Sequence, residues 1–253
     1  MVELAELTDV ELYDRGAETV IASWSAYARG APGGSLLRLP GVAAAVFPDE
    51  PERSVYNNAL LERRLTTPER RAAVEAMEDA YRAAGVTRFA AWVHESDEAM
   101  RLDLERRGYR LDLTTRAMGI SLDELHGPGS GTEPELELVP TTWLEYLEAF
   151  HLPSGLLVRA DHTVFRIAVA GLDGERVSTA MAFDHEGDCG IYNVATLAWA
   201  RRRGLATALT TLHLNAAVAR GCRTASLQAT AAARRLYASV GFRDLGAILE
   251  YVP

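Results

Sequence analysis

The chain has 253 residues, of which 48% are hydrophobic and 24% charged; a soluble globular protein of one large or two small domains has these proportions. Its formal net charge of −9 argues against nucleic acid as the main partner, because phosphate backbones reward positive surfaces. Every apolar run is broken by charge well before the ~18 residues of a membrane span, so no membrane partner is expected. Cys189 and Cys222 are the only cysteines, too few for a disulfide framework or a cysteine-rich zinc site. There is no lysine: every cationic side chain is arginine, so no lysine side chain of this protein can be acylated.

The N-terminal stretch MVELAELTDVELYDRG is acidic and lacks the basic and apolar regions of a signal peptide, so a cytoplasmic location is expected. VTRFAAWV, from Val86, reads as a strand between a helical pattern stopped by Gly85 and a second one stopped at Gly108. HGPGSGTEPE, residues 126–135, is the clearest linker. It divides the chain into 1–127 and 128–253. Beyond it, PELELVP (134–140) alternates like a strand, and TTWLEYLEAFHL (141–152) reads as a helix with Thr141 or Thr142 as N-cap. TVFRIAVAG, RVSTAMAF and CGIYNVATL read as three antiparallel strands, with turns near 171–174 and 184–188. A helix opens at Gly204 and stops at Gly221, TASLQAT is a strand, AAARRLYASV (231–240) a helix, and ILEYV a last strand. The order predicts a mixed α/β (α+β) domain around a central sheet.

The two halves share landmarks. Tyr56-Asn57 precedes Gly85 by 29 residues, and Tyr192-Asn193 precedes Gly221 by 29. Each glycine is followed by a strand and then a second helix with its own glycine stop. The order points to a degenerate internal repeat.

RRRGLATAL, beginning at Arg201, gathers three arginines in an acidic protein. It joins a strand to a helix through a glycine. The first turn of a helix has unpaired N–H groups and the positive end of the dipole, so phosphate binds there without a specific side chain. Gly204 lets the backbone approach closely, and Ala206 and Ala208 add no bulk. Positive side chains at a helix start oppose the dipole, a local conflict that a bound anion would relieve. Competing motifs are absent: GxxxxGK[ST], GxGxxG after a strand, HExxH and GxSxG do not occur, and the six histidines have no metal-ligand spacing. No metal is expected.

The stretch IYNVATLAWARRRGLATALTTLHLNAAVARGCRTASLQATAAARRLYASVGF resembles the GCN5-related N-acetyltransferase (GNAT) family. The family's pyrophosphate loop, [Q/R]-x-x-G-x-[G/A], matches Arg201-Arg202-Arg203-Gly204-Leu205-Ala206. Its later signature, A-x-x-x-Y-x-x-x-G-F, matches Ala233, Tyr237, Gly241 and Phe242. The likeness covers most of residues 130–253. It implies that IYNVATL and TASLQAT are neighbouring parallel strands that splay apart around the pantetheine arm of acetyl-CoA. Backbone groups of Val194, Ala195, Thr196 and Leu197 would pair with pantetheine, and an N–H near 194–196 would stabilise the oxyanion. The pyrophosphate would sit on the amides of Arg203 to Thr207, in the loop that begins with Arg201 and Arg202. Tyr237 is implied as the proton donor to the thiolate, since a phenol of ordinary pKa ~10 is well matched to a thiol.

Departures accompany the likeness. Thr230 replaces an asparagine seven residues before the tyrosine; it keeps the capacity to cap the helix with less reach. Ala198 replaces a proline, and Gly190 stands where some relatives carry a glutamate base, leaving the base unassigned among Asp188, Tyr192, Asn193 and a water chain. In the N-terminal half, Leu65 to Arg70 align with the phosphate loop without its glycine, and Leu104 aligns with Tyr237. That half is expected to keep the fold and to have lost the site, serving to shape the acceptor pocket or as a homodimer surface. Trp24, Trp92 and Trp143 could line such a pocket, although core packing is the stronger prior for each. The expectation is a tandem acyltransferase moving an acetyl or short acyl group from acyl-CoA to a small amine or peptide. The competing expectation is an acyl-CoA sensor with little turnover.

Overall fold

A computed structural model describes residues 7–50, 56–125, 136–150 and 157–253. The proposed linker, 126–135, lies outside the described residues, as do the last residues of the helical stretch that ends at 152.

In chain order the elements are α1 (Asp9–Gly30), β1 (Ser35–Leu39), β2 (Val42–Val46), β3 (Asn58–Leu61), α2 (Thr67–Ala83), β4 (Ala90–His94), α3 (Glu98–Arg106) and β5 (Arg110–Ser121). There follow β6 (Glu137–Leu138), α4 (Trp143–Ala149), β7 (Phe165–Leu172), β8 (Glu175–His185), β9 (Asp188–Thr196), α5 (Leu205–Ala219), β10 (Thr224–Ala229), α6 (Arg234–Val240) and β11 (Arg243–Val252). The fold is mixed α/β.

The chain forms two compact units. One comprises Met1–Val20, Ala117–Val158 and His162–Leu245; the other comprises Ile21–Arg116, Arg159–Asp161 and Gly246–Pro253. Each unit draws residues from both sides of position 127/128.

In the second unit, β1, β2 and β3 run antiparallel, and β3 pairs parallel with β4 from Asn58↔Ala90 to Leu60↔Trp92. A parallel pair needs a crossover, which α2 supplies. The end of β11 adds antiparallel to β4, from Ile248↔His94 to Tyr251↔Ala91. One sheet face is covered by α2 and α3, whose apolar residues recur at helical spacing. Met77, Tyr81, Met100 and Leu104 are fully buried there against Ala59, Ala91 and Tyr251. Trp24 and Trp92 pack edge-on with ring centroids 5.2 Å apart, and the Trp92 indole donates to Asn58 Oδ1 at 3.2 Å.

In the first unit, β6 to β9 form an antiparallel run and β9 pairs parallel with β10. The helix α5 makes this second parallel crossover. It buries Leu205, Leu209, Leu214 and Ala217. Helix α4 is capped by Thr142, one of the two threonines expected there, through a reciprocal box with Glu145. Two expectations need correction. Among the described residues the strand expected at 134–140 covers only Glu137–Leu138, and Pro140, which has no N–H to offer a ladder, stands two residues beyond it. Helix α6 starts at Arg234, because the amides of Ala233 and Arg234 both turn back to the Thr230 carbonyl, at 3.0 and 3.1 Å. Helix α1 and the β1–β2 hairpin are elements additional to those expected from the sequence.

Candidate functional site

The ladder between β9 and β10 runs from Thr224↔Asp188 to Ser226↔Gly190 and stops there. Both strands continue, β9 to Thr196 and β10 to Ala229, so their facing edges diverge. The other edge of β9 stays on β8, up to Ser178↔Thr196. A bulge interrupts that ladder between Thr179↔Ala195 and Met181↔Tyr192, and Asn193 takes a left-handed φ of 50° inside it. Beyond the bulge the Leu197 amide donates to the Val177 carbonyl at 2.9 Å, and the Ala195 carbonyl accepts from Ser178 Oγ at 3.0 Å. Strand alternation therefore turns the peptide groups of Val194 and Thr196 the other way, into the gap.

The loop after β9 closes the end of this gap. Arg201 Nε donates to the Thr196 carbonyl at 3.0 Å. Arg202 has φ 63°, and Gly204, the residue before α5, has φ 78°. A side chain at Gly204 would be strained in that left-handed turn. The first α5 backbone bond is Ala208 N–H to Gly204 C=O, 2.9 Å. The amides of Leu205, Ala206 and Thr207 precede it and have no intrahelical acceptor. No side chain caps this helix and no acidic residue lies in its first turn.

The start of α2, by contrast, is closed. Thr66 precedes it, and the Glu69 carboxylate reaches back to the Thr66 amide at 2.7 Å. The Thr66 hydroxyl, which donates to the same carboxylate at 2.6 Å, and then the Thr66 amide hold the Glu69 carboxyl below its ordinary pKa. Pro68 supplies no N–H.

Gap, loop and α6 enclose a cavity of about 720 Å³. Val194, Ala195 and Thr196 line it, together with Arg201 to Thr207, Thr230, Ala232, Ala233, Leu236 and Tyr237. Every site residue expected from sequence is among these except Leu197. Its amide is committed to Val177, and it packs against the core beside Leu209 and Ala200. Thr230 is at the cavity but does not cap α6: Ala233 holds that position, without a side-chain cap bond.

Tyr237 is 6% exposed, with its ring edge-on to Phe242 at 6.0 Å. Burial pushes its phenol up to about 12, so it stays protonated through neutral pH. Its hydroxyl makes no hydrogen bond among the described residues.

The candidates for a general base divide sharply. Asp188 is 2% exposed, and both its oxygens accept hydroxyl donors, Thr224 at 2.7 Å and Ser226 at 2.6 Å. It lines a different cleft, with Asp14, Arg15 and Glu18 of α1. At Gly190 an added Cβ would fall 2.3 Å from Tyr192 Oη; the tyrosine fills the volume a side chain at 190 would need. Burial pushes the Cys189 thiol up, which leaves it inert as a nucleophile. Trp143 and Trp24 are core residues, each 7% exposed, and the Trp143 indole donates to the Leu157 carbonyl at 2.8 Å. Among the described residues no cluster of three or more His, Cys, Asp or Glu could hold a metal, and no helix is long and apolar enough to cross a membrane.

No curated protein sequence matches the chain. The acetyltransferase (GNAT) family matches residues 131–242. Among solved structures, a GCN5-related N-acetyltransferase from Kribbella flavida is 18% identical, with a TM-score of 0.65 over 92% of this chain and 94% of its own. A GCN5-related N-acetyltransferase from Sphaerobacter thermophilus is 19% identical, with a TM-score of 0.55 over 94% of this chain and 85% of its own. A tandem GNAT protein from the clavulanic acid biosynthesis pathway is 13% identical, with a TM-score of 0.57 over 98% of this chain and 96% of its own. The protein therefore has the fold of the GCN5-related N-acetyltransferases, and its residues 131–242 match the acetyltransferase (GNAT) family.

Proposed function

We propose that the protein transfers an acetyl or short acyl group from acyl-CoA to the amine of a small molecule or peptide. The observation that carries this is the convergence in one cavity of three features: uncapped amides at Leu205 to Thr207, a strand edge at Val194 to Thr196 that the β9–β10 ladder does not reach, and the buried phenol of Tyr237. The helix start takes the pyrophosphate on N–H groups and dipole, with Arg202 and Arg203 adding charge. The strand edge offers pantetheine the hydrogen bonds that β10 no longer takes. A strand N–H at 194–196 stabilises the oxyanion formed as the amine attacks the thioester carbonyl. The new C–N bond forms, the C–S bond breaks, and Tyr237 gives its proton to the departing thiolate. The proton lost by the attacking amine passes to solvent, from which Tyr237 is reprotonated. The acidic surface favours a cationic acceptor.

The second unit reads as a degenerate copy. It repeats the order of a meander, a parallel crossover through a helix, and a further helix. Its phosphate position is closed by Thr66 and Glu69, and its counterpart of Tyr237 is the fully buried Leu104. The alternative, an acyl-CoA sensor, draws on the lack of an assigned base. Thiol release from acetyl-CoA across an amine panel separates the two. Turnover with any amine selects the enzyme. Saturable binding with none selects the sensor, and no binding removes both.

A further inference from the structure

We infer that Arg201 is a positioning residue that acts through the end of β9 rather than by its charge on a phosphate; this rests on the assignment of the cavity to acyl-CoA. The three arginines of the loop are not equivalent. Among the described residues Arg201 alone of the three has a hydrogen bond to the protein, and it is Nε, not the tip of the guanidinium, that donates to the Thr196 carbonyl at 3.0 Å. That carbonyl belongs to the peptide unit whose N–H is Leu197. The same N–H donates to the Val177 carbonyl at 2.9 Å. The unit is thus held at both ends, by β8 on one side and by the loop on the other. It lies where β9 has lost β10 as a neighbour, so no ladder bond on that side fixes the strand end. Its rotation would swing the Thr196 peptide, which faces the gap, and would shift the start of the loop that carries Gly204. Arg201 therefore sets two parts of the cavity in register: the strand edge and the helix start.

Chemistry at this bond makes the inference testable. Glutamine places its amide nitrogen the same number of bonds from Cα as arginine places Nε, so it can donate from the same point without charge. Lysine keeps the charge but has a methylene there. A charge-bearing phosphate ligand would rank Lys above Gln; a positioning donor ranks Gln above Lys.

The experiment compares Arg201→Gln and Arg201→Lys by titration calorimetry with acetyl-CoA, alongside amide hydrogen exchange at Leu197 in the ligand-free protein. One hydrogen bond lost is a factor of about 5–10. Arg201→Gln should bind acetyl-CoA about 5–10-fold more tightly than Arg201→Lys. The Leu197 amide should exchange about 5–10-fold faster in the Lys variant than in the Gln variant. Equal or tighter binding by Arg201→Lys, or equal exchange in the two variants, overturns the inference. Absence of acetyl-CoA binding by the parent protein removes the functional assignment instead. The exchange comparison then still decides whether Arg201 holds the strand end.

Discussion

Gly204→Glu is the most direct probe of the phosphate site. Gly204 is exposed at the cavity lining with φ 78°. Any L residue there meets left-handed strain of about 1–2 kcal/mol. Gly204→Ala shares that cost without adding charge, so the comparison between the two variants isolates electrostatics. A carboxylate at 204 would adjoin a diphosphate seated on the amides of Leu205 to Thr207; the charges are taken as ~6 Å apart for the Coulomb estimate. With an effective dielectric near ~40 for this open cavity, each pair of unit charges costs about 1.4 kcal/mol. Two phosphate charges bring the penalty to about 3 kcal/mol, or ~100-fold in Kd. Titration calorimetry with acetyl-CoA on the parent, Ala and Glu proteins measures it, with urea unfolding as the check that both variants fold. The gap between Ala and Glu should narrow at high salt, as screening shortens the reach of the added charge. If Gly204→Glu binds acetyl-CoA as tightly as Gly204→Ala, the diphosphate does not sit at this helix start.

Tyr237→Phe should lower kcat by about 10–10³-fold with little change in acetyl-CoA affinity; an unchanged kcat under conditions where chemistry limits the rate returns Tyr237 to a packing role. Because burial raises its phenol to about 12, no loss of the acid should appear in a kcat profile between pH 7 and 10. The full chain should bind one acetyl-CoA, since the start of α2 is closed by Thr66 and Glu69; two equivalent sites by calorimetry contradict the degenerate-copy reading. Thr66→Ala should destabilise the protein by about 1 kcal/mol in urea unfolding. Burial, and then the nearby Asp112, push the Glu250 carboxyl from 4.5 up to about 7. A raised carboxyl pKa costs stability as pH climbs from the unfolded value through the folded one. Glu250→Gln should therefore gain stability relative to the parent between pH 4 and pH 8, by up to about 3 kcal/mol. An advantage that does not grow across that window rules out the buried-carboxylate account.

The sequence by itself determined the local chemistry of this protein. RRRGLATAL already contained the uncapped helix start, because an arginine run ending in glycine places no Ser, Thr, Asp or Asn at the position before the helix. The contrast with Thr66-Thr67-Pro68-Glu69 is also local, since the capping box found there spans four consecutive residues. Strand and helix order from 163 onward followed from periodicity. Only the tertiary structure decided three other matters. The gap between β9 and β10 depends on a ladder that stops at Ser226↔Gly190, a long-range register that no local pattern records. Which strand peptides face that gap depends on the bulge at Asn193 and on pairing with β8, and these turn the Leu197 amide toward Val177. Finally, β11 reads as an ordinary last strand, yet its end adds to β4, some 150 residues earlier in the chain. Strand pairing is chosen by which edges meet when the core closes, and an alternating sequence specifies a buried face without naming the neighbour beside it.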